Sequence, residues 1–297
     1  MNNDRELWLM NRKTGIGGSD VAAILGLSPW RTAVDVYLDK VSPETKEIGS
    51  VAMRRGQFLE PLIVELYAEA TGNEVWHNKE NESWTHPIDT FLKTTPDGIV
   101  THLDGTRSVF EAKSAAGRGA QHWFDGVPAF YATQIQHEMY VMGFDSAELA
   151  YLINDDFAYL SVSKRDDYAD TVVPILHDFW MNHVLPEKFP EPRTIEDYKR
   201  VYAQSIAGST TQASMEMLNV LDQLLYYKDL EGRQSVIMKQ TKEKISELDL
   251  EVRAYMRDFE TLLYEDQILL TYKTASNKTR RLSLKEPAIK HAVGMTI

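Results

Sequence analysis

The sequence contains no cysteine. That removes disulfides, iron–sulfur clusters, thiolate zinc sites and thiol nucleophiles together. No stretch approaches the ~18 consecutive apolar residues of a membrane span. The opening Met1-Asn2-Asn3-Asp4-Arg5-Glu6 lacks the apolar core of a secretory signal. Together these lead to the expectation of a cytoplasmic protein. The eight histidines show neither His-x-His nor His-Glu-x-x-His spacing, so a zinc centre is not indicated. Gly15, Gly17 and Gly18 follow no strand and lack a dinucleotide-binding spacing. There is no tandem repeat and no low-complexity tract. Basic residues are also scarce: 32 Lys+Arg against 44 Asp+Glu give a net charge of −12. Taken whole, that balance argues against a phosphate-binding surface.

What is present is an ordinary globular composition, 43% apolar and 26% charged over 297 residues. This length suits one large domain with an appendage, or two domains. The charge is unevenly spread. Residues 61–160 carry 5 Lys/Arg against 15 Asp/Glu, a net of −10, whereas 1–60 are neutral and the stretch from Lys273 has six basic residues against Glu286 alone. An acidic middle third is either solvated surface or a carboxylate cluster that requires divalent cations.

Hydrophobic periodicity sets out the elements. Gly15-Ile16-Gly17-Gly18 leads into a helix with Ser19-Asp20 at its start and Gly26 as its stop. A second short helix runs from about Thr32 to Lys40. The clearest helix is Gln57 to Thr71, where Phe58, Leu59, Leu62, Ile63, Leu66, Tyr67 and Ala70 make one apolar face closed by Gly72. Pro61 fits only near a first turn, which places the start at Arg55–Gln57 and Glu60 close to the helix N-terminus. Short strands are predicted at 74–77, 91–93, 98–101 and 108–113, the last two joined through Asp104-Gly105. A helix at 131–142, strands at 147–153 and 159–162, and a helix at 170–184 ended by Pro186 follow. The order predicts an α/β (α+β) core with a mixed sheet. Residues 203–214 read as a linker after a core of 1–202. Residues 215–263 read as a broken helix or a helical hairpin interrupted near Gly232, and the chain ends in a β-hairpin of 268–273 and 280–284 that turns at Ala275-Ser276-Asn277.

The most informative constellation is Pro96-Asp97-Gly98 with Glu111-Ala112-Lys113, thirteen residues lying between Asp97 and Glu111. Alternate residues of a strand share a face, so Glu111 and Lys113 point the same way. If the strands carrying Asp97 and Glu111 pair through Asp104-Gly105, two carboxylates converge beside a lysine. Two carboxylates and a backbone carbonyl suit Mg²⁺, with Mn²⁺ a possible substitute, and leave positions for water and phosphate oxygens. Such a site hydrolyses phosphodiesters, with Lys113 near the attacking water or the developing charge. Taken alone, the same residues could be a turn aspartate and a surface ion pair.

Five motifs in order make the pattern specific: Arg12 to Ser19-Asp20, Gly56-x-x-x-Glu60, Pro96-Asp97-Gly98, Glu111-Ala112-Lys113, and Tyr131-x-x-Gln134-x-Gln136 before Met139-Tyr140. The sequence resembles the lambda-exonuclease-like, or YqaJ-type, phage recombination nucleases of the P-D-(D/E)-x-K superfamily. The resemblance runs from about Asn11 to Val162 and more loosely beyond. It implies a restriction-endonuclease-like core and a Mg²⁺-dependent deoxyribonuclease that degrades linear duplex DNA from 5′ ends. The exposed 3′ strands would pass to a single-strand annealing protein, and the family suggests a homotrimer. By this resemblance Asp97, Glu111 and the Ala112 carbonyl hold the metal, with Glu60 completing the acidic cluster. Lys113 acts on the water, Gln134 and Tyr131 line the site, Gln136 belongs to the same substrate-facing motif, and Arg12 and Ser19 grip a 5′ phosphate. A capping Ser19 and a bidentate Arg12 would favour an anion on physical grounds as well. His137, Trp30 and Trp123 are weaker candidates for touching DNA than for packing. Two rival readings keep the fold: an endonuclease or repair nuclease without an iron–sulfur cluster, and a non-catalytic DNA-binding scaffold.

Overall fold

A computed structural model describes residues 10–43, 50–275 and 279–293. The chain divides into two compact units, residues 1–206 and 207–297.

The first unit begins with two short helices, α1 (Gly18–Ile24) and α2 (Ala33–Val41), followed by α3 (Val51–Thr71). Strands β1 (Glu74–His77), β2 (Trp84–Thr85), β3 (Lys93–Thr94), β4 (Gly98–Thr101) and β5 (Arg107–Ala115) come next, then α4 (Ala129–Met142) and the pair β6 (Ser146–Ile153) and β7 (Asp156–Ser163). The unit closes with α5 (Tyr168–Thr171), α6 (Val173–Phe179) and α7 (Ile195–Val201). Five strands form one sheet in the order β1-β4-β5-β6-β7. Only β5 and β6 are parallel, so the sheet is mixed, as the alternation of elements predicts.

The pleat of β5 assigns its two faces. Phe110 and Ala112 join Ile63 and Tyr67 of α3 in one cluster, while Val109 packs with Ile135 and Met139 of α4 on the other side. Period-2 alternation then sends Glu111 and Lys113 to the α4 face, because they share parity with Val109. The β4–β5 connection turns at Gly105, whose φ of 84° suits glycine, and Asp104 accepts from the Thr106 amide at 2.9 Å. Register follows: Gly98 lies opposite Phe110, which brings Asp97 beside the 111–112 peptide. Gly98 itself has no room for a side chain, since a Cβ would run into the Trp76 carbonyl of β1.

Three expectations need correcting in this unit. Helix α3 starts at Val51, capped by Ser50, so Pro61 lies mid-helix and Glu60 well away from its N-terminus. Pro61 is exposed, so the carbonyl it leaves without an amide partner can turn to water. The apolar face of α3 is also narrower than its sequence suggests: Ile63 and Tyr67 are buried, whereas Phe58 is 79% exposed. The helix expected over 170–184 is broken at Val172, because Pro174 cannot donate to a continuing helix; a π-turn over Trp180–Val184 completes the segment.

His137 of α4 is fully buried, bonded through Nδ1 to the Tyr168 hydroxyl and through Nε2 to the Lys93 carbonyl, both at 3.0 Å. It is a packing residue tying three elements together. Burial depresses its pKa to about 4.

The second unit contains α8 (Met215–Met256), the meander β8 (Thr261–Tyr264), β9 (Gln267–Thr274) and β10 (Arg280–Leu284), and α9 (Glu286–Ala292). Residues 203–214 before it carry no helix or strand. The helical hairpin expected over 215–263 is instead one continuous helix of 42 residues followed by β8. Gly232 does not interrupt it, since a single helical glycine costs about 1 kcal/mol against a long run of favourable neighbours. The strands expected at 268–273 and 280–284 are β9 and β10, and the turn residues Ser276 and Asn277 lie outside the described residues.

Because an unfolded chain protonates His137 near pH 6.5 and the folded one only near pH 4, stability from this residue is full above pH 6.5 and falls as the pH drops towards 4. By pH 5 the loss amounts to about 2 kcal/mol. Urea unfolding of wild type and His137→Gln at pH 7 and pH 5 isolates this contribution, since other groups titrate alike in both. The wild-type advantage should shrink by about that amount; an advantage independent of pH would contradict the assignment.

Candidate active site

The residues brought together on the α4 face are Asp97, Glu111, Lys113, Tyr131, Gln134 and Glu138, with Glu60 approaching from α3. The loop before β4 is locked by Asn78, whose amide donates to the Pro96 carbonyl at 2.9 Å. Asp97 Oδ2 accepts the Ala112 amide at 2.8 Å, across the two strands that the Asp104-Gly105 turn pairs. Lys113 Nζ forms an ion pair with Glu111 Oε1 and lies 5.2 Å over the Tyr131 ring. Gln134 Nε2 donates to Glu111 Oε1 at 2.5 Å and to Glu138 Oε1 at 2.9 Å. Glu60 Oε1 is 2.8 Å from His77 Nε2.

The electrostatics are those of crowded, buried acids. Burial and the nearby Asp97 charge push the Glu111 carboxyl up to about 7, against the opposing pull of Lys113. Burial, then Glu111, raises Glu138 well above the usual carboxylate range. Glu60 is raised by burial and by Asp97. Lys113 would be lowered by its burial, but Glu111 and Asp97 outweigh that and hold it firmly protonated. Glu111 Oε2 and Glu138 Oε2 are buried without a hydrogen-bond partner. Two orphaned carboxyl oxygens amid mutually repelling acids form a donor set that fits a divalent cation. Asp97, Glu111, Glu60 and the Ala112 carbonyl are the groups able to hold it, with Glu138 beside them. Among the described residues, no three His, Asp or Glu side chains are already gathered around one ion-sized point.

A cavity of about 140 Å³ opens next to this cluster, lined by Arg12, Ser19 and Lys93 on one side and by Gln134 and Glu138 on the other. Arg12 donates to Ser19 Oγ at 3.4 Å. The two residues expected to grip an anion therefore stand together, in a cavity that Gln134 and Glu138 of the cluster also line. Gly18 makes this possible: a Cβ there would press on Gln134 Cγ at 3.0 Å and Glu138 Oε1 at 3.2 Å.

Behind the cavity, Asp20 and Lys40 form a fully buried ion pair at 2.7 Å, and Arg31 adds a 3.0 Å contact to Asp20. Burial opposes ionisation of Asp20, but Lys40, Arg31 and Arg12 together hold its carboxyl well below the usual range. Lys40 also donates to the Arg12 carbonyl at 2.8 Å, fixing the backbone from which that guanidinium projects.

Two expected roles change. Ser19 is not the helix cap: Gly17 is, and Asp20 closes the first turn by accepting the Gly17 amide at 3.1 Å. The positive helix end is thus already faced by a carboxylate, and the cations of the cavity are side chains. Gln136 is buried and bonds the Ser163 carbonyl and the Arg165 amide, so it braces α4 against β7 rather than facing Gln134's neighbours. Residues two apart on a helix point in different directions, which separates the two glutamines. Trp30 is 61% exposed and packs edge-on against Phe130 and His122; Trp123 packs on Tyr131 and Tyr151. Sequence reasoning missed Glu138 and Lys40. Glu138 had a signal, being four residues after Gln134 and so on the same helical face. Lys40 had none, since its pairing with Asp20 is purely tertiary.

Residues 7–145 match the YqaJ-like viral recombinase domain family. The matched segment contains all five of the sequence motifs, from Arg12 to Tyr140. The YqaJ protein of Bacillus subtilis is 27% identical over 265 residues, covering 86% of this chain and 79% of its own length. An alkaline exonuclease from Laribacter hongkongensis, solved alone and in complex with dAMP, superposes with TM-scores of 0.50 and 0.51 at 20% identity. Each comparison covers 67% of this chain and 98% of the exonuclease. Over the matched part the chain therefore shares its fold with that exonuclease, and both comparisons point the same way as the five sequence motifs.

Removing the charge of Asp20 should strand Lys40 in the interior. Asp20→Asn is expected to destabilise the first unit by about 3–5 kcal/mol, read as a lowered urea midpoint at unchanged slope. A variant as stable as wild type would show that the pair is not needed to keep Lys40 buried.

Proposed function

We propose that the chain is a divalent-metal-dependent exonuclease that degrades linear double-stranded DNA in the 5′-to-3′ direction, exposing 3′ single strands for a single-strand annealing partner. The observation that carries this reading is the convergence of Asp97, Glu111 and Lys113 on one sheet face, next to a cavity bearing Arg12 and Ser19. The YqaJ-like domain and the exonuclease fold support it. A ring-shaped homotrimer remains the family's suggestion for the assembly.

Mg²⁺, or Mn²⁺ in its place, would be held by Asp97, Glu111, the Ala112 carbonyl and Glu60, and when bound supplies Lewis-acid activation of water and of the scissile phosphate. The chain's own residues do the rest. Lys113 stays protonated among acids and offers a fixed cation to charge that develops on the phosphate oxygens. Gln134 orients the Glu111 carboxylate and leaves Oε2 open for ligation. Arg12 and Ser19 bind a terminal phosphate, so that a chain end rather than an internal stretch is positioned for cutting. Burial of the cluster excludes water and strengthens each of these interactions.

Lys113→Ala should lower DNA digestion by at least about 10²-fold while the protein still folds, with the circular dichroism spectrum of wild type. Digestion at the wild-type rate would refute the mechanism. On end-labelled linear duplex, release should start from the 5′ end and be faster with a 5′ phosphate than with a 5′ hydroxyl. Arg12→Ala should erase that difference, and a covalently closed circle should survive. Cutting of the circle at a comparable rate would instead favour an endonuclease.

A further inference from the structure

Helix α8 leaves a long apolar seam uncovered. Only Met256 at its C-terminal end is buried. When its residues are sorted into seven columns spaced seven apart, two columns stand out. Met217, Leu224, Glu231, Met238, Ile245 and Val252 form one, with five apolar members of six; Val220, Tyr227, Gln234, Thr241, Leu248 and Tyr255 form the other, with four. No other column has more than three. The two are three residues apart, so apolar side chains recur at alternating spacings of three and four over six heptads. This is the repeat of a coiled-coil seam. The seam side chains are exposed, from 46% at Leu248 to 74% at Tyr255, with Val252 half-buried.

We propose that α8 pairs with α8 of a second copy of this chain in an antiparallel two-stranded coiled coil, a twofold contact additional to the ring contact of the proposed homotrimer, so that the helices of one ring pair with those of another. The seam matches itself in that orientation. With the crossing centred at Val236, Met217 faces Tyr255, Val220 faces Val252, Leu224 faces Leu248 and Tyr227 faces Ile245. Apolar meets apolar in four layers on each side. The polar members gather in the middle, where Glu231 faces Thr241 and Gln234 faces Met238. A shift of one heptad either sets Glu231 on Leu248 or sets Leu224 on Thr241, so the central polar layers fix the register, a recognised use of polar seam residues. The parallel alternative buries Glu231 against its own copy, two like charges in contact. Charge along the helix favours the same choice. Residues 215–231 hold one lysine against four acids, while 239–253 hold four basic residues against four acids. Antiparallel pairing places the acidic half against the lysine-bearing half instead of against itself. The helix is roughly 63 Å long at about 1.5 Å per residue, a contact long enough for a specific interface between two chains.

The cysteine-free sequence permits a clean test on the full-length chain. Leu224→Cys and Leu248→Cys variants are prepared separately, then oxidised in dilute solution alone and mixed. The mixture should yield a disulfide-linked product holding one chain of each variant, and either variant alone should stay largely unlinked. Self-linking of Leu224→Cys alone overturns the antiparallel arrangement, and absence of linkage in the mixture overturns the pairing. In sedimentation equilibrium, Leu224→Asp with Ile245→Asp should halve the particle mass. Leu225→Asp, an exposed site off the seam, should leave it unchanged. A seam variant with wild-type mass would also overturn the proposal.

Discussion

Everything chemical in this protein depends on the pairing of β4 with β5. Gly98 opposite Phe110 is the register that lets Asp97 accept the Ala112 amide, and the pleat of β5 then sends Glu111 and Lys113 to the face covered by α4. A slip of one residue would turn Glu111 into the apolar cluster against α3 and bring Phe110 out of it. Two local features hold the register: the Asp104–Gly105 turn, and a glycine at 98 where β1 passes too closely for a side chain. The apolar packing of Phe110 and Val109 on opposite faces therefore positions the acids as well as stabilising the sheet.

The fold keeps its buried charges in balance on both sides of one cavity. On one side Asp20 is ringed by Lys40, Arg31 and Arg12, so it stays ionised despite burial. On the other, Glu111, Glu138 and Asp97 crowd around a single lysine, and burial, followed by repulsion from neighbouring carboxylates, pushes the Glu111 and Glu138 carboxyls up. The two environments differ in what they lack. The Asp20 network is electrostatically complete, whereas the Glu111 network holds unpartnered carboxyl oxygens. That contrast separates a structural ion pair from a site built to receive positive charge. It also resolves the acidic composition. The excess negative charge lies mainly in residues 61–160, which supply Asp97, Glu111 and Glu138, while Arg12 and Lys93 bring positive side chains to the cavity.

Much of this was legible in the sequence where a local rule applies. Strands over 74–77 and 98–101 were predicted at the bounds the structure shows, because short alternating runs between turn residues carry their own punctuation. The pairing through Asp104-Gly105 was readable for the same reason. Pro61 misled because a proline penalty depends on whether the stranded carbonyl reaches water, which is a matter of exposure. Gly232 misled because a small local cost is outweighed by forty-one other helical residues. Ser19 is a good capping residue, yet the chain bends two residues earlier, at Gly17, where Gly18 must fit beneath Gln134 and Glu138.

By itself the sequence determined the kind of chemistry open to this protein: no thiols, and carboxylates and a lysine at strand spacing. These follow from residue type and short-range periodicity, which the chain carries wherever it is placed. Only the tertiary structure decided which charges are buried, which acids repel one another, that Lys40 reaches Asp20, and that Gln136 serves β7. Desolvation and Coulomb interactions act through space between residues far apart in the chain, and their sign is set only once packing has fixed distance and dielectric.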